Sequence, residues 1–586
     1  VASMEHQYFL TEPIADLEAL GFRVPLIRCP TDDFYSRQEK SGLLVGFYEQ
    51  DCRTWGLNGI DPDFTNALCP DDPDRVLPVL ENVFERMPCL TEVGIHTIIN
   101  GPITYTPDGL PLVGHVPGKR NAWCITGLRA GLGEGGGHGW LLAQQIVHGE
   151  ACYDTWCLDP RRFAIYADVD YTALKAIEDY QNEFRFHMPH EYRPAGRPAR
   201  TTPLYDTLKQ AGAEFGTVNG WERAVYFKPS AGFAEVHSFR FNNTFDVVAR
   251  EVEAVRERVG IMEVSGFNRY EITGAGVHDW LDTIMCSRVP RKEGRVGLAY
   301  FLNDDGNVKG EATLANLGPD RVWYGSAAAA ELHDMDWLNE HLPDDGSITI
   351  KSLVETHSIL VVAGPRSRNL LQAAFADVDW SQDSFGWLSV REVTLAGHLA
   401  VAMAVSFSGE LAWELHIPSD GLVDCHAALT AAGEPLGLAH FGLHAVESMR
   451  IEKGYRHWKA DLITEFNPME SGLERFVKMD KQFVGKDALE AMIKAGPRRL
   501  FVSLELDTDD APAHPGDSIM SEGRVVGTVT SASWGHRVGR NLAMGFVDAS
   551  FAGIGQCLQV EIVGEPVAAV VCEPCRYDPD NARVRS

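Results

Sequence analysis

Seven glycines fall within the thirteen residues from Gly127 to Gly139, and this cluster constrains the local backbone more than any other feature of the chain. A strand-like run, 122–126, precedes it, and a segment with helical periodicity, 140–148, follows it. A glycine-rich turn that opens a helix aims backbone N–H groups and the helix dipole at an electron-rich group. The phosphate-loop spacing is not met, because no Lys followed by Ser or Thr closes the cluster. The pattern therefore predicts a strand, turn and helix that face a cofactor, or else a tight helix–sheet contact.

The length of 586 residues predicts about three or four domains, since one domain usually takes roughly 100–200 residues. A hydrophobic fraction of 45% and a charged fraction of 23% are typical of a soluble globular protein. The formal net charge of -30 argues against a general role on nucleic acid, because that binding depends on Lys and Arg. No apolar run is long enough to predict a membrane span, so neither nucleic acid nor a membrane is an expected partner.

The first residues, 1–6, contain neither a basic nor an apolar segment of the kind found in signal peptides. The chain also starts without Met, so we expect it to begin within a longer protein or to be processed. Twelve cysteines are too few for a disulfide scaffold and favour a reducing compartment. Cys572 and Cys575 form an isolated CxxC, and no metal site is predicted because zinc needs two more ligands.

Composition and periodicity predict four parts, with a proline-rich linker closing the second: 1–155, 156–203, 204–490 and 491–586. The third part is a long α+β stretch, in which we predict a helix over 246–259 and a strand pair around 261–273. The fourth part has short strands separated by glycines, which predicts a small β-barrel.

The segment 101–114, the glycine cluster and the run 159–162 together resemble the C-terminal part of the D-amino-acid-oxidase-like flavin domain. The resemblance implies that the glycine turn packs against the ring of FAD and that its amides face the pyrimidine side, where they stabilise negative charge. The cofactor-binding residues that it implies here are Gly127, Arg129, Gly131 and Leu132. Arg129 departs from the family, which commonly has a small polar residue there.

In that family the dinucleotide-binding strand–turn–helix and the covalent flavin-linking His lie upstream of this region, and neither is present in this sequence. We therefore expect the chain alone to bind FAD poorly unless a second chain supplies the missing segment. The stretch 5–13 resembles the family segment that enters the amine-binding region, which makes His6 and Tyr35 candidate catalytic residues of the substrate pocket. A His with a near-neutral pKa favours the unprotonated amine that oxidation requires, although a packed structural His is the alternative.

Four ordered segments of the second half resemble the folate-binding aminomethyltransferase of the glycine-cleavage system and its homologous domain in dimethylglycine dehydrogenases: 259–267, 301–306, 406–415 and 447–458. A reduced pterin has an edge of donors and acceptors that a buried carboxylate can bind. The resemblance implies that Glu410 is this carboxylate, with Glu414, Arg450 and Trp458 as further cofactor-binding residues. A turn charge at Glu410 and a purely structural ion pair at Arg450 are the alternatives.

Glu263 occupies the position at which that family usually has Asp. The family's carboxylate holds or activates the folate nitrogen that attacks the one-carbon unit, so Glu263 is a third candidate catalytic residue. Because Glu is one methylene longer, the substitution either keeps the role with altered geometry or marks a weakened transfer step.

Taken together, these resemblances identify a member of the dimethylglycine/sarcosine dehydrogenase family with an α+β multidomain fold: part of a flavin domain, an aminomethyltransferase-like folate domain and a C-terminal β-barrel. They imply oxidative demethylation of an N-methylated amino acid by FAD, with capture of the one-carbon unit by tetrahydrofolate. The alternatives are a folate-only methyltransferase or demethylase and a non-catalytic folate-binding subunit. The electron acceptor is oxygen or an electron-transfer flavoprotein, and the expected location is the cytoplasm, with the mitochondrial matrix as the alternative.

Overall fold

The first two hundred residues and the rest of the chain organise separately in the computed structural model, which describes residues 1–586. The first unit comprises 1–151, 157–187 and 191–199, and the second comprises 152–156, 188–190 and 200–586. None of the helices combines the length and apolar character needed to cross a membrane.

The first unit is built on a six-stranded antiparallel sheet whose order is β2-β3-β4-β1-β5, with β6 also paired to β1. A separate hairpin joins β7 and β8. The strands are β1 (Ala2–Thr11), β2 (Ile27–Cys29), β3 (Phe34–Glu39), β4 (Gly42–Phe47), β5 (Thr54–Trp55), β6 (Ile95–Tyr105), β7 (Leu112–His115) and β8 (Trp123–Thr126). The helices are α1 (Ala15–Ala19), α2 (Pro73–Arg86), α3 (Gly131–His148) and α4 (Val169–Gln181).

Strand β1 separates the two hydrophobic cores of this unit, because successive side chains of a strand point to opposite faces. Phe9 packs with Val76 and Val83 of α2 in one core. Met4 packs with Ala176 and Tyr180 of α4 in the other. His6 has the parity of Met4, which places it on the α4 side of the sheet.

Helix α3 begins earlier than its periodicity predicts. The expected helix covers 140–148, but the observed one starts at Gly131 and includes six of the seven clustered glycines. Each glycine costs about 1 kcal/mol relative to alanine in a helix. Helix propagation from the apolar segment that follows nevertheless extends the hydrogen-bonded ladder back to the turn, because elongation is far easier than nucleation.

The second unit contains a six-stranded sheet (order β18-β19-β20-β17-β11-β21), a five-stranded sheet (order β13-β14-β15-β12-β16), a hairpin (β9, β10) and a closed barrel (order β22-β25-β24-β23-β26-β27). Its strands are β9 (Ala213–Val218), β10 (Trp221–Phe227), β11 (Val259–Glu263), β12 (Asn268–Thr273), β13 (Val296–Leu302), β14 (Val308–Gly318), β15 (Arg321–Ser326), β16 (Thr349–Ser352), β17 (His357–Ala363), β18 (Val390–Leu395), β19 (His398–Met403), β20 (Ala412–Pro418), β21 (Leu438–His440), β22 (Arg499–Leu506), β23 (Ser518–Ser521), β24 (Arg524–Gly535), β25 (Arg540–Asp548), β26 (Cys557–Ile562) and β27 (Glu565–Cys572). Its helices are α5 (Tyr205–Gln210), α6 (Phe245–Glu257), α7 (Val277–Ile284), α8 (Glu331–Glu340), α9 (Ser367–Ala374), α10 (Leu422–Gly433), α11 (Leu443–Glu452) and α12 (Lys486–Ala495).

The mixed α+β class and the C-terminal barrel are confirmed. The predicted strand pair around 261–273 is wrong in its pairing: β11 lies between β17 and β21, whereas β12 lies between β15 and β16. Two sequential strands of suitable composition do not identify their partners, because pairing depends on the whole sheet. The boundaries of the four parts drawn from the sequence remain a prediction.

Candidate functional site

The structure brings the predicted residues His6 and Tyr35 into direct contact. His6 lies on β1 and Tyr35 on β3, and the His6 Nε2 atom is 3.0 Å from the Tyr35 hydroxyl. The other ring nitrogen, Nδ1, is 3.0 Å from the hydroxyl of Tyr180 on α4. A third residue, absent from the sequence prediction, therefore completes a hydrogen-bonded row across the sheet and helix.

The row continues into a buried charged cluster. The Tyr180 hydroxyl donates to Glu49 Oε2 at 2.9 Å. Glu49 Oε1 is 2.8 Å from Arg75 Nε, and Arg75 Nη1 donates to Glu5 Oε2 at 2.8 Å. Burial raises the pKa of Glu49, against the opposing effect of Arg75. No local motif points to Tyr180 or Arg75, which lie 174 and 69 residues from His6 along the chain. The one sequence signal that could have marked them is the amphipathic pattern of α4 and α2, which buries both side chains.

Aromatic side chains enclose this row. The Tyr48 ring lies 4.8 Å from His6 and 4.9 Å from Tyr180, between ring centroids. A Cβ added at Gly46, which is directly opposite Tyr35 in the β3–β4 ladder, would overlap the Tyr35 ring. Glycine at this position therefore gives Tyr35 the space to reach His6.

This environment keeps His6 uncharged. Burial, followed by the positive charge of Arg75, lowers the pKa of His6 to about 4. Burial also raises the pKa of Tyr35 to about 12, so its hydroxyl keeps its proton at neutral pH. The pair consequently forms a neutral hydrogen-bonding surface at neutral pH.

The glycine turn presents backbone to its surroundings. Gly127 has a φ of +75°, and a Cβ there would lie 2.6 Å from Thr106 Cγ2. No side chain caps the start of α3 at Ala130, and Leu132 in its first turn is fully exposed. Gly127, Gly131 and Leu132 thus lie at or next to an uncapped helix start, and their contact with a flavin stays a prediction.

The Arg129 side chain is held by two acidic residues, and its predicted contact with the flavin stays a prediction. It forms ion pairs with Asp179, at 3.0 Å, and with Glu183. Its guanidinium also lies 5.0 Å from the centre of the Tyr105 ring. These partners explain the departure from a small polar residue, because the side chain ties the turn to α4 and the segment after it.

In the second unit, Glu410 lies in a fully buried ion-pair cluster. Glu410 Oε1 accepts a hydrogen bond from Arg537 Nη1 at 2.8 Å, and Arg537 also pairs with Glu452. Arg537 Nη2 donates to the Met449 carbonyl at 2.6 Å. Glu410 Oε2 is buried and accepts no hydrogen bond, but the Arg583 Nη1 atom lies 3.8 Å from it. Sequence reasoning missed Arg537, although this residue lies in the part of the chain, 491–586, that was predicted to form the barrel.

Arg450 and Trp458 take part in two further arrangements. Arg450 donates to Asp461 Oδ2 at 2.8 Å and to Glu447 Oε2 at 3.0 Å, so its side chain orders the chain after α11. Burial alone lowers the pKa of Arg450, but the two carboxylates raise it above its ordinary value. Trp458 donates from Nε1 to the Lys309 carbonyl at 3.1 Å. The structure therefore gives both residues structural partners within the region predicted to bind folate.

Glu263 and Glu414 both affect the pKa of one buried arginine, Arg269. Glu263, at the end of β11, accepts a hydrogen bond from the Ser265 backbone N–H at 2.7 Å, and burial raises its pKa. Burial lowers the pKa of Arg269 to about 10, with Glu414 and then Glu263 opposing the shift. Glu414 also lies 3.3 Å from His416 Nε2. Four of the five predicted folate residues thus fall into three clusters, centred on Arg537, Arg450 and Arg269, whereas Trp458 contacts Lys309.

Four family models match the chain in sequence order: FAD dependent oxidoreductase over 1–145, FAD dependent oxidoreductase central domain over 148–202, GCVT N-terminal domain over 204–481, and glycine cleavage T-protein C-terminal barrel domain over 498–578. The border between the second and third models, at 202–204, lies close to the division between the two units at 199–200. The border between the third and fourth models, at 481–498, separates the sheets of the second unit from its barrel.

Two curated relatives span nearly the whole chain. Mitochondrial dimethylglycine dehydrogenase of Mus musculus is 34% identical over 99% of this chain and 68% of its own length. Mitochondrial sarcosine dehydrogenase of the same species is 30% identical over 100% of this chain and 68% of its own length. Among solved structures, aminomethyltransferase T of the glycine cleavage system from Bartonella henselae matches with a TM-score of 0.57 at 21% identity, covering 65% of this chain and 98% of that one. That likeness shows the fold of the second unit.

Proposed function

Because this chain belongs to the dimethylglycine/sarcosine dehydrogenase family, we propose that it oxidatively demethylates a dimethylglycine- or sarcosine-like amino acid with FAD and passes the one-carbon unit to tetrahydrofolate. One observation carries the proposal. The His6–Tyr35 pair lies inside the segment that matches an FAD-dependent oxidoreductase, and the same chain continues into the aminomethyltransferase fold.

The residues present fit a flavin at the glycine turn. The first turn of α3 has no side-chain cap, and a Cβ added at Gly133 or Gly136 would meet no atom within 4 Å. Backbone N–H groups at an uncapped helix start suit the electron-rich pyrimidine edge of the ring. Gly127, Gly131 and Leu132 would lie against it, while Arg129 would hold the turn in place.

The residues present also fit a pterin beside Glu410. The buried Oε2 atom accepts no hydrogen bond, and its nearest cation, Arg583, lies 3.8 Å away; a bound donor at hydrogen-bonding distance would lower the free-energy cost of burying this oxygen. The amino and N–H groups of a pterin are such donors. Arg537 would hold the carboxylate in position through Oε1.

Bound FAD supplies a two-electron acceptor for the N-methyl carbon, and tetrahydrofolate supplies nucleophilic nitrogens for the one-carbon unit. The chain's own residues bind and orient the amine. Neutral His6 and Tyr35 present no positive charge that would repel it, and the tyrosines around them form an aromatic enclosure suited to a methylated nitrogen. Oxidation requires an amine with a free lone pair, so an ammonium bound at this pair would have to lose its proton before it is oxidised.

At the folate site, Glu263 would orient the nucleophile. Its backbone hydrogen bond to Ser265 holds one oxygen, and its burial favours a carboxyl that can share a proton with a nearby nitrogen. Glu414 and Arg269 would set the charge around it. The family's shorter Asp is replaced here, so the added methylene would bring the carboxyl closer to its target.

The test is flavin reduction in the FAD-loaded full chain, followed anaerobically by absorbance. We expect dimethylglycine or sarcosine to bleach the flavin, whereas glycine betaine, whose nitrogen has no lone pair, should not. Adding saturating tetrahydrofolate during turnover should lower the formaldehyde released. Failure of every N-methyl amino acid to bleach the bound flavin contradicts the oxidative part, and unchanged formaldehyde contradicts the coupling.

A non-catalytic folate-binding protein is the second candidate, favoured by Glu263 in place of Asp and by the pairing of Glu410 with Arg537. Calorimetric binding of tetrahydrofolate without any one-carbon transfer would support it. A folate-only transferase would instead transfer without flavin. Oxygen consumption during turnover distinguishes oxygen from an electron-transfer flavoprotein as the acceptor.

The names of the relatives bear on the cellular compartment of this chain. The two mouse proteins are mitochondrial by name, which supports the mitochondrial matrix for this chain. The cytoplasm, the first prediction from the sequence, has no such support.

A further inference from the structure

We propose that Glu49 is the terminal acceptor of a proton relay that takes the proton of the substrate ammonium through Tyr35, His6 and Tyr180. The inference rests on the proposed function for the identity of the substrate as an amine. It assigns to this chain a route and an endpoint for the proton that must leave before the amine can be oxidised.

The donor and acceptor of each hydrogen bond in the row can be assigned by starting at its charged end, Glu49. Arg75 lies 2.8 Å from Glu49, which holds Glu49 as a carboxylate that only accepts. The single hydroxyl proton of Tyr180 therefore points to Glu49 Oε2 at 2.9 Å, in preference to the Phe47 carbonyl at 3.4 Å. A charged acceptor at the shorter distance makes the stronger bond.

The remaining bonds follow from the number of protons. Since the Tyr180 proton is used, its oxygen accepts from His6 Nδ1 at 3.0 Å. A neutral imidazole carries one N–H, so His6 Nε2 is an acceptor and Tyr35 donates to it at 3.0 Å. The Tyr35 oxygen keeps its lone pairs free for an ammonium N–H.

The transfer balances at every atom. The substrate N–H proton moves to the Tyr35 oxygen, the Tyr35 proton to His6 Nε2, the His6 Nδ1 proton to Tyr180, and the Tyr180 proton to Glu49 Oε2. Four N–H or O–H bonds break and four form, and no electrons leave the substrate in this step. The amine is left with its lone pair, and Glu49 becomes a neutral carboxylic acid.

The charge of the buried cluster favours this endpoint. Arg75 faces two carboxylates, Glu49 and Glu5, so the cluster carries a net negative charge that one proton cancels. The groups that face His6 are Tyr35 from β3, Tyr48 after β4, Tyr180 from α4 and, through its charge, Arg75 from α2. Burial lowers the pKa of His6 to about 4 and raises that of Glu49, so the proton passes through His6 and stays on Glu49.

The first experiment needs no ligand. Nitrogen-15 NMR of the histidine-labelled full chain, with the His6 signals assigned by their loss in His6→Gln, reports which ring nitrogen carries the proton. We expect the Nδ1–H tautomer in the wild type and a shift towards Nε2–H in Tyr180→Phe. An Nε2–H tautomer in the wild type overturns the relay, whatever the substrate is.

The second experiment measures the arrival of the proton. An infrared difference spectrum on adding dimethylglycine to the full chain should show a new protonated-carboxyl band. Glu49→Gln and Tyr180→Phe should remove this band, and Glu39→Gln, a control at a partly exposed carboxylate paired with Arg37, should retain it. Circular dichroism checks that each variant is folded. If Glu49→Gln does not fold, Tyr180→Phe alone tests whether the band depends on the relay. Binding without the band, or a band that survives in the folded variants, overturns the relay. If dimethylglycine does not bind to the wild type, the substrate proposal fails and the tautomer measurement decides the relay.

Discussion

The proposed amine region of the first unit (Tyr35, His6 and Tyr180) and the proposed folate region of the second unit both bury ionisable side chains, but they do so in different ways. In the amine region, neutral groups form a row: Tyr35, His6 and Tyr180 share hydrogen bonds of 3.0 Å. In the folate region, full charges face each other, as in the pairing of Arg537 with Glu410 and Glu452.

The difference separates two uses of buried polarity. A row of neutral donors and acceptors can reverse its hydrogen bonds at little cost, which suits the movement of a proton. A buried ion pair holds its partners in one geometry, and removing one partner leaves an unpaired charge away from water. We therefore expect substitutions in the folate region to cost stability, and those in the amine region to alter protonation.

The largest effect should come from Arg537→Met. It leaves Glu410 and Glu452 buried without their cation, so the free energy of unfolding should fall by about 3–5 kcal/mol. Urea denaturation followed by tryptophan fluorescence measures the change. The matched control is Arg540→Met in the same barrel, an exposed arginine paired with Glu505, where about 0–1 kcal/mol is expected.

The double variant Arg537→Met/Glu410→Gln sharpens this prediction, because it removes one of the two stranded charges. It should recover part of the lost stability. If the single variant loses no more than the Arg540 control, the paired charges contribute nothing and the contrast between the regions disappears.

Next in size is the pH dependence of the amine region. The folded-state pKa of His6 is about 4, below its ordinary value of 6.5, because of burial and Arg75. The unfolded chain therefore binds the proton first as the pH falls, and stability is lost between about 6.5 and 4, by up to about 3 kcal/mol for this residue.

The measurement compares unfolding of the wild type and His6→Gln at several pH values. Other buried histidines contribute equally to both proteins, so only the difference between the two curves belongs to His6. We expect the variant to lose less stability on acidification. Parallel curves would show that His6 has an ordinary pKa and would falsify the neutral-row description.

A smaller effect is expected for ligand binding at Glu410. Replacing the carboxylate in Glu410→Gln converts a charge-assisted hydrogen bond into a neutral one, which should weaken tetrahydrofolate binding about tenfold or more. Calorimetry with the full chain measures this, and the exposed Glu392→Gln is the control. Equal affinities of wild type and Glu410→Gln would remove Glu410 from the folate site.

The smallest expected effect is that of Tyr35→Phe on stability. The variant loses one neutral hydrogen bond, so the free energy of unfolding should change by only about 1 kcal/mol. Amine-dependent flavin reduction should nevertheless slow markedly, because the first group of the row is missing. A loss of stability as large as that of Arg537→Met, measured by the same urea titration, would mean that the two regions do not differ in kind.

Sequence reasoning assigned His6 and Tyr35 to the substrate pocket through resemblance; the structure shows them 3.0 Å apart, and their catalytic role stays a prediction. It named Glu410 but not Arg537, because the arginine lies 127 positions away and no local pattern marks it as a partner. Arg129 was expected at the flavin, whereas its charge is engaged by Asp179 and Glu183. For Glu410 and for Arg129, the sequence did not reveal which charged side chains are their ion-pair partners.

The sequence by itself determined the local conformations and the family. The helix expected over 246–259 appears as Phe245–Glu257, and glycine spacing was sufficient to indicate the barrel. These features depend on periodicity and turn chemistry, which act over a few residues. The resemblance needed only motifs in the right order.

Only the tertiary structure decided which strands pair, which charges meet and where a proton can travel. The strands β11 and β12 are neighbours in sequence yet belong to different sheets. The row from Tyr35 to Glu49 joins β1, β3, the end of β4 and α4, with one contact spanning 174 residues. Hydrogen bonds and ion pairs act over about 3 Å in space, and their partners are set by packing rather than by distance along the chain.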